Sequence, residues 1–437
     1  MAERTVIIGA GHAGTTLAAS LRDEGYDGGI VLFGAEPDMP YHRPPLSKTF
    51  LTGEADDVQH LRPVGFYRDN AIDLRLDEEI RKIDLVARRV VSATGAATSF
   101  SRLAVATGGR PRRWRGENAD APGVAYLRSL DDARRIKRQL AGLQRLVVVG
   151  GGFIGLELAA SLSGSGVEVT VLEAMDRLMA RAVAPETSRH FFELHRGWGI
   201  ELLLGEGLAR LCIDAAGRLS GVETTAGRHI AASLAVVGIG LEPEVALCRT
   251  AGLACEDGVV VEECLTAGRD DVVAIGDCAA IRRGSAARPT RIESVQNATD
   301  QARTAARSLL GRKEPYRAIP WFWSDQRQTK LQIAGCCVGA ADSVVRGDPS
   351  DGRFSVLRYR GDRLVAVDSI DRPGEHLVAR RLIAAGVSPS RAQAADPDFD
   401  LRTLLAVAPA PVAVSAKLPA DEEPGARVHE SGARRAR

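Results

Sequence analysis

Gly9-x-Gly11-x-x-Gly14 and Gly150-x-Gly152-x-x-Gly155 share one spacing. Glycines so placed let backbone N–H groups approach an anion closely. A helix that opens there adds the positive end of its dipole, which suits a pyrophosphate. The surrounding residues repeat as well: residues 6–18 read VIIGAGHAGTTLA and residues 147–159 read VVVGGGFIGLELA. Glu173 follows the second motif at the end of the next apolar run. A carboxylate there accepts from ribose hydroxyls and repels a 2′-phosphate, which favours NADH over NADPH. Arg177 and Arg181 stand close by and would welcome a phosphate. Two cradles call for two dinucleotides. FAD with NADH is the economical pair, because hydride passes between them.

The elements that must position these motifs are legible around them. Each motif follows a β-branched run, opens a helical pattern, and is followed by a second apolar run, at residues 30–33 and 167–172. Each is the opening βαβ of a doubly wound domain. Further strand-like runs end in glycine at Gly108, Gly238 and Gly276, and a helix is expected over residues 292–310. After Pro320 short alternating runs appear, at 354–359 and 363–367, with a helix near 376–385, which suggests an antiparallel sheet. The fold class expected is α/β, with two doubly wound dinucleotide-binding domains and a smaller α+β C-terminal domain. Residues 408–437 are rich in Ala, Pro, Glu and Arg without a period and are expected to form a disordered tail.

Composition sets the outer bounds. The chain has 437 residues, 45% hydrophobic and 26% charged, as in soluble proteins of about two to four domains. Its net charge of +1 gives no overall attraction to nucleic acid or a membrane surface. Only six of its 57 basic residues are lysines, which reads most simply as base composition. No apolar stretch reaches the length of a membrane span, and the first residues enter a strand at once, so no signal peptide is expected. Cys212, Cys248, Cys255, Cys264, Cys278, Cys336 and Cys337 are scattered, with no C-x-x-C pair. That fits reduced thiols in a cytoplasm, with no metal site expected, and the adjacent Cys336 and Cys337 read as packing residues.

Several words occur in one order between about residues 4 and 375. They are the first cradle, Pro44-Pro45-Leu46-Ser47-Lys48, the second cradle with Glu157, Ile275-Gly276-Asp277-Cys278, Arg291-Ile292-Glu293-Ser294, and Trp321-Phe322-Trp323-Ser324-Asp325-Gln326. Together they resemble the NADH-dependent ferredoxin reductases that serve bacterial oxygenases. The resemblance implies an FAD domain made of residues 1–112 and 241–318, an NAD domain at 113–240 inserted in it, and a third domain at 319–407 covering the flavin.

Residue by residue, the resemblance implies that Gly9, Gly11, Ala13 and Gly14 line the FAD pyrophosphate. Lys48 sits near the isoalloxazine beside Pro45, and Asp277 bonds the ribityl chain. Val295 lies against the ring and Trp323 closes the pocket. Ile80 and Arg128 reach the adenine and flavin ends, and Arg43, Ala106, Thr107 and Gly108 complete the FAD site. For NADH the implied set is Gly150, Gly152, Ile154, Gly155, Glu157, Glu173, Arg181 and Gly238. Lys48 and Glu157 are the implied catalytic residues, with Glu157 facing the nicotinamide and pairing with Lys48. One departure stands out: the family places an acid directly after the glycine of the second strand, and this chain has Gly34-Ala35, with Glu36 one place later. Glu36 is expected still to reach the FAD ribose. His42 also precedes Arg43 where many relatives have an acid.

The implied activity is hydride transfer from NADH to FAD, then single-electron delivery to a small acidic [2Fe-2S] ferredoxin. That ferredoxin would feed an oxygenase such as a cytochrome P450 or a ring-hydroxylating dioxygenase. No cysteine lies between Tyr41 and Lys48, where disulfide reductases of this architecture carry a pair, so electrons leave without a dithiol relay. Arg110, Arg112, Arg113, Arg115, Arg303 and Arg307 are candidates for a basic docking surface, or equally solvated arginines in an Arg-rich chain. Other readings stay open: a rubredoxin or quinone reductase, an NADH oxidase, or a redox-responsive flavoprotein of the apoptosis-inducing-factor type.

Overall fold

Buried β-branched runs form two parallel sheets in the computed structural model, which describes residues 3–53, 57–284, 288–337 and 340–406. The first sheet has the strand order Val272–Ala274, Arg102–Val105, Arg4–Ile8, Gly29–Phe33, Ile72–Arg75, parallel throughout. The second has the order Glu201–Leu204, Glu168–Glu173, Arg145–Val149, Leu234–Val237, Val124–Ala125, again parallel. Strands covered on both faces bury continuous apolar runs. Accordingly Val6, Ile7, Leu32, Leu103 and Val272 are fully or almost fully buried in one, and Val147, Val148 and Ala235 in the other.

The chain leaves the first sheet after Val105, builds the second, and returns to the first at Val272. The two crossings run side by side: Gly109–Pro111 pairs antiparallel with Leu241–Pro243. Helix Val295–Leu309 then packs on helix His12–Asp23 through small residues, with Ala302, Ala305 and Ala306 buried. It is shorter than the 292–310 expected, because Ser294 caps it by accepting from the Asn297 N–H at 3.0 Å.

The third unit is an antiparallel sheet in the order Trp321–Gln326, Thr329–Gly335, Arg363–Ile370, Phe354–Arg360, Asp342–Arg346. Helix Pro373–Ala385 packs on it and starts earlier than expected, with proline in its first turn. The tail expected from residue 408 lies outside the described residues. Among the described residues no helix is long and apolar enough to cross a membrane.

One hydrophobic cluster joins all three units. Tyr41, Leu46 and Phe50 come from the first, Val148, Leu156 and Leu158 from the second, and Leu331, Ile333 and Phe354 from the third.

Candidate active site

Each glycine of the first cradle has a separate task. Gly9 holds φ +109°, and a Cβ there would fall 2.2 Å from the Ala106 carbonyl oxygen. A Cβ on Gly14 would fall 1.9 Å from the Gly9 oxygen, so helix and loop touch only because it is glycine. Gly11 faces open space. The second cradle repeats this with Gly150 against Gly238, Gly155 against the Gly150 oxygen, and Gly152 open. Neither helix, His12–Asp23 or Phe153–Leu162, has a side chain capping its N-terminus. The orphan N–H groups there are available to an anion.

A ring of polar residues gathers around the first cradle. The turn Gly276–Cys278 lies against it, since a Cβ on Gly276 would come within 3.1 Å of the Ala13 Cβ. Asp277 accepts from Arg128 at 3.0 Å, and the Arg128 guanidinium stands over Gly108. The Arg128 carbonyl accepts from Arg43 at 2.7 Å, and Arg43 pairs with Glu36 at 2.6 Å. Tyr41 donates to Glu36 at 2.5 Å and accepts from the Leu130 N–H at 2.8 Å. Glu36, one residue late, therefore stands in the same network as Arg43 and Asp277. Thr107 is turned to the Glu244 carbonyl, and Ala106 is buried, bonded through its N–H to Ile8.

His12, inside the first motif, is the residue that sequence reasoning passed over. Its Nε2 is buried without a hydrogen-bond partner, and its ring meets His42 edge-on at 5.3 Å. Burial, with His42, Arg43 and Arg128 nearby, holds its pKa down to about 3, so the imidazole is neutral. Open space at Gly11, uncapped N–H groups, an unpartnered His12 nitrogen and two arginines fit the anionic centre of a dinucleotide. Ile80 stands apart: its side chain is buried in the core of the first sheet, so any ligand contact would be through its backbone.

The second cradle is bounded by Glu173. Glu173 accepts from the Gly151 N–H at 2.7 Å and the Met175 N–H at 2.8 Å, which pins the carboxylate at the cradle. Arg177 is committed to the Val183 and Ala180 carbonyls, whereas Arg181 is exposed, near Gly240. Ile154 and Met175 are exposed apolar side chains beside the same cradle.

The three units meet at Lys48. Its Nζ lies 3.1 Å from Glu157 Oε1. Ser47 donates to Glu157 Oε2 at 2.7 Å and Ser324 to Oε1 at 2.7 Å. Burial pushes the Glu157 carboxyl up from its ordinary value, against the pull of Lys48 and the two hydroxyls. Ser47 lies in Pro44–Lys48 and Ser324 in Trp321–Gln326, and only tertiary packing shows that both address one carboxylate. Trp323 is half-buried on the neighbouring strand, 5.5 Å from Trp321, and Phe322 packs on Phe153 at 4.5 Å. Pro45 precedes Lys48 in a short turn, and Val295 opens its helix, half-buried.

The proposed basic surface is largely neutralised within the chain. Arg110 and Arg112 pair with Glu242, and Arg113 with Asp120. Arg303 pairs with Asp300, and Arg307 with Glu24 and Glu314. Arg115 is exposed.

Comparison with known proteins agrees with this geometry. Residues 3–302 match the pyridine nucleotide-disulphide oxidoreductase family, and residues 321–405 match a reductase C-terminal domain. The chain is 43% identical to rhodocoxin reductase from Rhodococcus erythropolis, over 92% of this chain and 94% of that one. A crystal structure of a ferredoxin reductase from Rhodopseudomonas palustris superposes with TM-score 0.88 at 39% identity, covering 92% of this chain and 99% of that one. The reductase of the covalent putidaredoxin reductase–putidaredoxin complex also superposes with TM-score 0.88, at 35% identity, covering 93% and 99%. The chain belongs to the pyridine nucleotide-disulphide oxidoreductase family, among the ferredoxin reductases that carry a reductase C-terminal domain.

Proposed function

We propose that this chain is an FAD-dependent NADH:ferredoxin reductase that passes single electrons to a small acidic [2Fe-2S] ferredoxin of an oxygenase system. The observation that carries this is the Lys48–Glu157 pair, set where side chains of all three units meet, with no cysteine in the segment Tyr41–Lys48. Bound FAD supplies the redox chemistry, taking two electrons from NADH and giving them up one at a time. The first cradle with Arg43, Arg128 and Asp277 would hold its pyrophosphate and ribityl chain, and Glu36 its ribose. The second cradle with Glu173 would hold NADH.

The chain's own residues position and screen. Glu157 keeps the Lys48 ammonium at the junction, and Ser47 and Ser324 keep Glu157 from rotating. Trp323 and Pro45 would wall the site against water, and low local dielectric strengthens the charge of Lys48. We divide the chain at the paired crossings, near residues 112 and 240, and at about 318. Seven free cysteines and the use of NADH fit a cytoplasmic setting.

Turnover with NADH and three acceptors tests this reading: a purified [2Fe-2S] ferredoxin, a rubredoxin, and oxygen. Ferredoxin is expected to be reduced at least tenfold faster than either of the others. Equal or faster turnover with rubredoxin or oxygen overturns the assignment.

A further inference from the structure

Strand Trp321–Gln326 sends successive side chains to opposite faces. Ser324 on one face bonds Glu157. Asp325, on the face it shares with Trp323, places Oδ2 3.8 Å from Lys48 Nζ. Lys48 is therefore within ion-pair reach of two carboxylates from two different units. They are unequal: the Glu157 side chain is 8% exposed and already accepts from two serines, whereas Asp325 is 40% exposed and open to water.

We propose that Asp325 is a positioning residue: a second carboxylate station that shares the Lys48 ammonium with Glu157 and lowers the positive charge the flavin site feels on the Trp323 side. The proposal rests on the reductase reading above. Two carboxylates around one ammonium leave an excess negative charge at the junction. That excess disfavours a negatively charged reduced flavin and helps electrons to leave. Glu157 alone cannot provide it, because one buried carboxylate only cancels one ammonium.

Asp325→Asn keeps the shape and removes the charge. In FAD-loaded protein, equilibrated with a reference dye under dithionite, the reduced form is expected to be favoured about tenfold, or ~30 mV for a two-electron couple. Ferredoxin reduction should slow while hydride transfer does not, and Asp325→Glu should return the potential to that of the wild type. If the Asn protein fails to hold flavin, Asp325→Ser gives the same comparison. An unchanged potential at equal flavin content and equal melting temperature overturns the proposal. The dye method needs no NADH, so a wild-type protein that NADH does not reduce would count against the reductase reading and leave the result for Asp325 standing.

Discussion

Lys48 and Glu157 show what one ion pair does when it is half taken away. Both side chains are largely shielded, so removing one leaves a buried charge alone, at a cost of about 3–5 kcal/mol. Lys48→Ala should therefore slow flavin reduction by at least tenfold, while NADH affinity changes by no more than about threefold. Stopped-flow reduction at the wild-type rate would remove Lys48 from this role. Glu157 also has a pH signature. Its carboxyl is pushed up by burial, so the folded chain holds that proton more tightly than the unfolded one. The stability it contributes is present below the ordinary carboxylate value and is lost as pH rises through the raised one. Urea midpoints at pH 5 and pH 8 should fall more for wild type than for Glu157→Gln; parallel declines would contradict the buried-acid assignment. The words PPLSK and WFWSDQ named two segments that the fold brings together at Glu157. They did not show that Ser47, Ser324 and Asp325 converge on one pair, because convergence from three units is a tertiary fact. His12 was visible inside the first motif, yet nothing local says that its nitrogen is buried without a partner.

The two cradles are built alike, and their glycines should fail separately. A Cβ at Gly14 meets backbone 1.9 Å away, and one at Gly155 meets backbone 2.2 Å away, so neither helix has room to yield. Gly14→Ala should give a colourless protein. Gly155→Ala should stay yellow and lose reduction by NADH. Absorbance at the flavin band before and after NADH distinguishes the outcomes, and a Gly155→Ala protein without flavin would contradict the separation of the sites. Strands and helices around these motifs were legible in sequence because parallel strands buried on both faces read as unbroken apolar runs. Helix ends were less so. Ser294 and Pro373 fix two of them, and such caps act through a single hydrogen bond or a fixed φ rather than through periodicity.

Across the whole molecule the units are joined by buried polar clamps as well as by the shared core. Asp368, fully buried on the third sheet, accepts from the Ala184 N–H at 2.7 Å and from Thr187 at 3.1 Å, beside helix Pro185–Gly197. His195 on that helix meets Gln326 at 2.7 Å. Burial lowers His195 and His376 to about 4, so both are neutral in the folded chain. Their folded values lie below the unfolded value near 6.5, so stability is complete above that pH and is lost as pH falls towards 4. The loss approaches about 3 kcal/mol for each. Chemical denaturation at pH 7 and pH 4.5 should show the fall, and His195→Gln should lessen it; an equal fall in the variant would place the acid sensitivity elsewhere. The two parallel sheets and the smaller antiparallel one were legible as apolar and alternating runs, whereas the return to the first sheet at Val272 was expected only from the family resemblance. The charge pattern of the surface did not, because ion pairs such as Arg110–Glu242 join residues far apart in the chain.

The most direct test mixes the FAD-loaded, thiol-alkylated protein with NADH in the absence of oxygen, then adds oxidised [2Fe-2S] ferredoxin. NADH should bleach the flavin despite the blocked cysteines, and two ferredoxins should be reduced for each NADH consumed. A flavin that stays oxidised, or electrons that reach the ferredoxin only when free thiols are present, would contradict it.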